Sequence, residues 1–272
     1  MEFYRGMIAL IKNKFILKSM TYPYLVSVLL PTRGRPEWML KAVSSIITNA
    51  AHPEKVQILL NIDNDDINSY HEAYAKLEAI TPNYKVIYSP RGLGYGDLHT
   101  HVNDLCAIAE GEYLFLWNDD ALLMTPAWDE ILEEHRDGLH GNPVAVIQID
   151  NSDSWIYGFP FVHYDIYNAM GHFSLNAHND TWMHEVANRS GVERIEWRIA
   201  SQHNRIDLLH RFKRTDAATF SSLEDETYLD VWNNEVGNMG YDKTHILFSS
   251  SKEVELRKQD IEKVKKMMEC SD

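Results

Sequence analysis

Apolar runs that end abruptly in charged tips constrain this chain more than any other feature. The sharpest is Tyr113-Leu114-Phe115-Leu116-Trp117-Asn118-Asp119-Asp120. A strand buried on both faces of a parallel sheet reads as a continuous apolar run, and open α/β sheets bind ligands at the carboxyl ends of such strands. Two adjacent carboxylates there repel each other and need compensation. A hard divalent cation supplies it, because such ions favour carboxylate oxygen. The simpler alternative is a solvated turn in which Asp119 or Asp120 caps the next helix.

The same pattern recurs along the chain. A first strand is expected over residues 25–30, followed by the loop Pro31-Thr32-Arg33-Gly34-Arg35-Pro36. Pro36 suits the first turn of a helix, and Met39, Leu40, Val43, Ile46 and Ile47 follow at helical spacing. A second strand over 56–62 ends in Asp63-Asn64-Asp65-Asp66, and Asn68 is placed to cap a helix with Tyr70, Ala73, Tyr74, Leu77 and Ile80 inside. A short third strand, 85–88, runs into Arg91-Gly92-Leu93-Gly94-Tyr95-Gly96-Asp97 and a helix with Leu98, Val102, Leu105, Cys106 and Ala109 on one side. Beyond the opening stretch, Thr125-Pro126 starts a helix with Trp128, Ile131 and Leu132 inward, and 144–149 forms a further strand. Strand and helix alternate, which predicts an α/β fold around a mostly parallel sheet with right-handed crossovers. The remainder changes character: 154–173 is aromatic-rich and broken by Gly158, Pro160 and Gly171. A helix over 180–190 ended by Gly191, a strand over 193–200, and helices over 225–236 and 253–268 complete the reading.

A net charge of −14 argues against a nucleic-acid binder, which needs a basic surface. It also makes an anionic substrate hard to hold without a metal or local arginines. Cys106 and Cys270 are the only cysteines, so no disulfide framework is implied and a reducing, cytoplasmic setting fits. No apolar run approaches a membrane span. Residues 1–22 form a basic amphipathic segment, with Arg5, Lys12, Lys14 and Lys18 among Phe3, Met7, Ile8, Ile11 and Phe15. It reads either as an interfacial helix in peripheral contact with a membrane or as a packed terminal helix, and it lacks a secretory cleavage site.

In a parallel sheet the Arg33/Arg35 loop, the Asp63 loop and the Asn118-Asp119-Asp120 loop lie on one edge. Arginines beside a carboxylate-held metal are what a diphosphate needs. Asp63-Asn64-Asp65 is not an EF-hand, since Asn68 and Tyr74 stand where glycine and glutamate belong. The glycine loop misses the dinucleotide fingerprint at Asp97. It reads as backbone approaching a ligand, with Arg91 as a phosphate contact, or as a plain turn. His99 and His101 flank it, in contact with substrate or solvent. Trp155, Tyr157 and Phe159 form either a stacking platform for a sugar or part of the core.

The segment Val26-Ser27-Val28-Leu29-Leu30-Pro31-Thr32-Arg33-Gly34-Arg35-Pro36 resembles the opening of glycosyltransferase family 2, nucleotide-sugar transferases of the GT-A fold. Asp63 falls where that family places a base-reading aspartate. Asn103 with Ala109-Glu110-Gly111-Glu112-Tyr113 resembles the lead-in to its metal motif, and Asn118-Asp119-Asp120 is similar to the motif itself, with Asn118 in place of the first aspartate. The similarity covers roughly residues 24–135 and thins afterwards.

The resemblance implies one GT-A domain over 23–272: a nucleotide-binding half to about 150, an acceptor half over about 151–250, and a closing helix at 252–268. It implies a nucleotide-sugar site built from Pro31, Thr32, Arg33, Arg35, Asp63, Arg91, Asn103, Asn118 and Asp119. Asp120 would hold Mn²⁺ or Mg²⁺, joined by a late histidine, His203 first and His210 second. Gly171-His172-Phe173 and His178-Asn179-Asp180-Thr181-Trp182-Met183 resemble the catalytic region, with Asp180 as base or merely as helix cap. The expected activity is metal-dependent, inverting transfer from a UDP-, GDP- or dTDP-sugar to a glycan or glycolipid hydroxyl, as in polysaccharide biosynthesis. The rivals are a sugar-phosphate nucleotidyltransferase, whose lysine-rich glycine loop is absent, and a non-catalytic binding module, which Asn118 would suit.

Overall fold

A computed structural model describes residues 22–92, 94–138, 140–151, 158–204 and 251–269. The expected helix over 225–236, nearly all of the basic N-terminal segment, Trp155, Tyr157, His210 and Cys270 lie outside the described residues. The elements in chain order are β1 (Tyr24–Thr32), α1 (Pro36–Asn49), β2 (Val56–Asp63), α2 (Ala73–Ile80), β3 (Tyr84–Ser89), α3 (Leu98–Ala107), β4 (Gly111–Leu116), β5 (Ala121–Leu123), α4 (Trp128–Arg136), β6 (Val146–Asn151), β7 (Phe161–His163), α5 (Tyr164–Met170), α6 (Asn179–Ser190), β8 (Glu193–His203) and α7 (Ser251–Glu269).

The described strands form an eight-stranded sheet in the order β3-β2-β1-β4-β7-β6-β8-β5. Strands β1 to β4 pair in parallel, whereas β7 runs antiparallel to both β4 and β6. Side chains alternate across a strand, so the continuous apolar runs feed two cores. Val26, Val28, Leu30, Ile58, Leu60, Phe115 and Trp117 pack with α1, α2 and α4 on one face. Leu29, Leu59, Leu114 and Leu116 pack with α3, α5, α6 and α7 on the other. At the amino edge, Gly111 donates to Ser27 Oγ at 2.8 Å. A Cβ on Gly111 would sit 2.4 Å from the Ser27 nitrogen, so only glycine allows this approach.

Several expectations are corrected by tertiary pairing. Residues 154–173 contain β7 and α5, neither of which has a periodicity long enough to read alone. The run ends where Gly171 adopts φ 83° as the left-handed residue closing α5. Strand β5 was not legible at all. Its partner is the extension of β8 to His203, beyond the expected end at 200. Helix α4 begins at Trp128 rather than at Thr125-Pro126, because the Thr125 hydroxyl is bound to β8, donating to Arg198 O and accepting from Ala200 N. Asn68 caps no helix. It lies in a 3₁₀ turn, Ile67–Tyr70, ahead of α2. Phe159 is 1% exposed and packs on Trp117 at 4.5 Å between ring centroids, so it is core rather than a sugar platform.

Candidate active site at the carboxyl edge of the sheet

Parallel register sets the site. Leu29 pairs with Leu116, and Trp117 N donates to Leu29 O, so Asn118-Asp119 emerges beside the loop that follows β1. Asp119 is 3% exposed, and its Oδ2 accepts from Thr32 Oγ1 at 2.7 Å. A carboxylate only accepts, so the Thr32 hydroxyl must spend its hydrogen there. The Tyr70 hydroxyl, 2.7 Å from Thr32 Oγ1, therefore donates to Thr32 and itself faces Arg35 N at 3.3 Å. The relay Arg35 N–H, Tyr70 O–H, Thr32 O–H, Asp119 has one direction. Burial pushes the Tyr70 hydroxyl pKa up, which keeps it a neutral donor.

Arg35 compensates the paired carboxylates. Its Nε lies 3.3 Å from Asp119 Oδ2 and its Nη1 3.9 Å from Asp120 Oδ2. The other side of Asp120 faces β8. Because Ala121 pairs with His203, the histidine is delivered beside the motif, with Nε2 3.1 Å from Asp120 Oδ1 and 3.5 Å from Asn118 Nδ2. Asn204 donates through both its backbone and its side-chain nitrogen to Asp120 O at 2.9 Å, fixing the main chain there. A carboxylate oxygen and an imidazole nitrogen about 3 Å apart suit neighbouring ligands of one octahedral Mn²⁺ or Mg²⁺ ion. The donor set therefore fits a divalent cation at Asp120 and His203.

A second cluster surrounds Asp63 at the end of β2. Asp63 Oδ2 accepts from Arg33 Nη1 at 2.9 Å and Arg91 Nη1 at 3.1 Å. Arg33 also holds Asp65, whose carboxyl it keeps below the ordinary range. His101 is buried behind Asp63, with Nδ1 3.6 Å from Asp63 Oδ1, which corrects the solvent-facing alternative.

Asp180 lies in the first turn of α6 and accepts from Thr181 N at 2.7 Å. Its carboxyl pKa is raised, because burial outweighs the lowering effects of His178 and of the Thr181 N–H. That makes it a stronger base than a free aspartate and counters the acidifying pull of the helix N-terminus. Asn103 makes no described hydrogen bond to Arg35, Asp119 or Asp120. Its amide clamps the loop before α6, accepting from Phe173 N at 2.6 Å and donating to Ser174 O at 2.8 Å. Helix α7 secures α6 from behind: Asp260 accepts from Trp182 Nε1 at 3.2 Å and faces His172 Nε2 at 3.3 Å.

Among the described residues, one further group has metal-ligating side chains close together: His135, His140 and Glu196. Arg198 already serves as its cation, with Nη2 2.7 Å from Glu196 Oε2 and 2.8 Å from His140 Nε2.

The sequence model of Glycosyl transferase family 2 matches residues 27–193, well over half of the chain, from within β1 to the start of β8. The chain belongs to glycosyl transferase family 2. No curated protein matches it by sequence. Among solved structures, it is similar to S. aureus TarS 1-349 in complex with UDP-GlcNAc, with 12% identity, TM-score 0.54, and 91% of this chain and 92% of that one covered. The same fragment in complex with UDP gives 12% identity and TM-score 0.53 over the same coverage. At these identities the likeness establishes the shared GT-A fold.

In this glycosyltransferase the edge gathers Pro31, Thr32, Arg33, Arg35, Asp63, Arg91, Asn118, Asp119, Asp120 and His203. No hydrogen bond or ion pair described joins Asn103 or Asp180 to that cluster. Sequence reasoning missed Tyr70 and Asn204. Tyr70 read as an inward apolar position, and its hydroxyl has a role only because Thr32 sits against it. Among the described residues, no helix is long and apolar enough to cross a membrane.

Proposed function

We propose that this glycosyltransferase moves a sugar from a nucleoside diphosphate to a hydroxyl of a glycan or glycolipid, with inversion, and depends on a divalent cation held by Asp120 and His203. The observation that carries the reading is the convergence of Asp120 and His203, 3.1 Å apart, with Arg35 and Asp119 at one edge of the sheet. The UDP and UDP-GlcNAc complexes of TarS support a donor of this class.

Each residue has a distinct task. Thr32 and Arg35 orient Asp119 toward the ribose. Arg33 and Arg91 bracket Asp63, the contact for the base. Arg35 also faces the diphosphate side and neutralises charge on the leaving group. Asp180 takes the proton of the acceptor hydroxyl as its oxygen bonds to the anomeric carbon and the bond to the diphosphate breaks on the opposite face. A bound divalent cation would supply Lewis-acid stabilisation of the leaving diphosphate. Asn118 lends a neutral amide where the family carries a carboxylate, so Asp120 and His203 bear the ionic part of the cation site.

Thermal shift with UDP, GDP, dTDP and CDP, each with Mn²⁺ and with chelator, tests the reading. A ligand at a hundredfold excess over its dissociation constant stabilises by about 2.7 kcal/mol. The expected result is a shift with at least one nucleotide that chelator removes and that Asp120→Ala abolishes. Equal shifts with and without Mn²⁺ would refute the cation site. Binding without any sugar transfer would favour the non-catalytic module.

A further inference from the structure

We infer that Glu134, His135, His140 and Glu196 form a structural zinc site, in which the Arg198 guanidinium occupies the place of the ion. None of these residues belongs to the nucleotide-sugar site. One ligating atom from each of His135, His140 and Glu196 lies within 4.8 Å of the other two. His135 and Glu196 are buried and form the floor, with His135 Nε2 3.2 Å from Glu196 Oε2. His140 and Glu134 form the mouth, with His140 Nε2 3.1 Å from Glu134 Oε2. Arg198 reaches in among them. Its Nη2 lies 2.7 Å from Glu196 Oε2 and 2.8 Å from His140 Nε2, and its Nη1 lies 2.7 Å from Glu134 Oε2.

The guanidinium does not satisfy this cluster. Arg198 Nη2 can only donate, which requires a lone pair on His140 Nε2. The Glu134 carboxylate can only accept, which requires a hydrogen on the same nitrogen. One ring nitrogen cannot meet both demands, whichever tautomer or charge the ring carries. A metal ion in place of the guanidinium removes the conflict, because it takes lone pairs from His140 Nε2, Glu134 Oε2 and Glu196 Oε2 together. Two imidazoles and two carboxylates suit tetrahedral Zn²⁺, whereas Mg²⁺ and Ca²⁺ favour oxygen and higher coordination. Ligands about 2.0–2.1 Å from zinc stand about 3.3 Å apart in a tetrahedron. The His135–Glu196 pair at 3.2 Å and the His140–Glu134 pair at 3.1 Å already match two such edges. Burial lowers the His135 pKa and so favours the neutral ring that a metal takes. Arg198 is half-exposed and has a route into solvent. Four protein ligands close the site, as in structural rather than catalytic zinc centres. The ion would tie the turn after α4 to β8 at its bulge, where pairing with β6 jumps from Ile149–Glu196 to Asp150–Ala200.

The test titrates the full chain at neutral pH with Zn²⁺ by calorimetry and with Co²⁺ by visible absorption, since tetrahedral cobalt absorbs far more strongly than octahedral cobalt. The parent should bind Zn²⁺ and give the tetrahedral cobalt spectrum, and Asp120→Ala should keep both. His140→Ala should lose both. Arg198→Ala should bind Zn²⁺ several-fold more tightly than the parent, because the competing cation is gone. His140 and Arg198 carry exposed side chains, so neither substitution opens the core. Zinc binding lost in Asp120→Ala but kept in His140→Ala would assign the ion to the nucleotide edge and overturn the inference. Absence of a tetrahedral spectrum in the parent, or weaker zinc binding by Arg198→Ala, would overturn it as well.

Discussion

Replacing Thr32 by valine removes one hydroxyl from the middle of a buried, directed relay while keeping the side chain's shape. In the parent the hydroxyl donates to Asp119 Oδ2 at 2.7 Å and accepts from the Tyr70 hydroxyl at 2.7 Å. Hydrogen bonds to charged groups contribute about 1.5–3 kcal/mol, and a buried donor left unmade costs about 1–3 kcal/mol. Thr32→Val forfeits the first and creates the second at Tyr70, so the cost should be roughly 3–4 kcal/mol. Against a domain stability of about 5–15 kcal/mol, that is a large fraction. Thr32→Ser keeps the relay and loses a methyl group, which should cost about 1 kcal/mol. Urea denaturation at neutral pH measures both, and a constant m-value confirms that the native state is being compared. Tyr70→Phe breaks the same relay one step upstream, so the Thr32→Val/Tyr70→Phe pair should be clearly non-additive. If Thr32→Val falls within about 0.5 kcal/mol of the parent, or if the two variants simply add, the relay is not a coupled unit and the directional argument fails.

The remaining predictions concern the cation, the base and acid stability. His203→Ala should weaken Mn²⁺-dependent nucleotide binding by about 10–100-fold while metal-free binding changes little, as calorimetry in Mn²⁺ and in chelator would show; an equal loss in both buffers refutes ligation. Asp180→Asn should retain donor binding and lose transfer, and it should melt higher than the parent at neutral pH, because the variant no longer buries an ionised carboxylate whose pKa is raised. Transfer should fall with decreasing pH through a pKa above the ordinary aspartate value of 3.8, since the base must be ionised; a limb at or below that value would reduce Asp180 to a helix cap. Glu196 is held at about 2: burial raises its pKa, but hydrogen bonds from Arg198 and His135 overcome it. Its folded value lies below its ordinary 4.5, so the stabilisation is present above that pH and is lost as pH falls towards 2. Glu196→Gln should flatten that part of the acid unfolding curve, and an unaltered curve would show that the Arg198 clamp contributes nothing.

The local pattern reached a long way into this protein. Apolar runs and helical spacing placed β1 to β4 and the helices between them, because both faces of those strands are covered and each run carries its own period. Strand-end tips located Asp63, Asp119 and Asp120 on one edge, because a parallel sheet leaves no other place for them. What the sequence could not express was any feature whose cause lies in a distant partner. Strand β5 is three residues long and exists because β8 extends to meet it, and that pairing alone brings His203 to Asp120. Asn103 is expected at the nucleotide-sugar site only through the family resemblance, and its bonds to the backbone of Phe173 and Ser174, seventy and more residues away, are contacts that no linear pattern carries. Phe159 reads from the sequence as either a sugar platform or core, and its packing on Trp117 decides for core. The inequality of the two Asp63 oxygens depends on where two arginines from separate loops come to rest. Composition and period determined which elements form and which edge is charged. Tertiary structure decided which atom of each polar side chain is already bound and which is left for a ligand, because a hydrogen bond depends on atoms meeting within about 3 Å and a linear pattern carries no such distance.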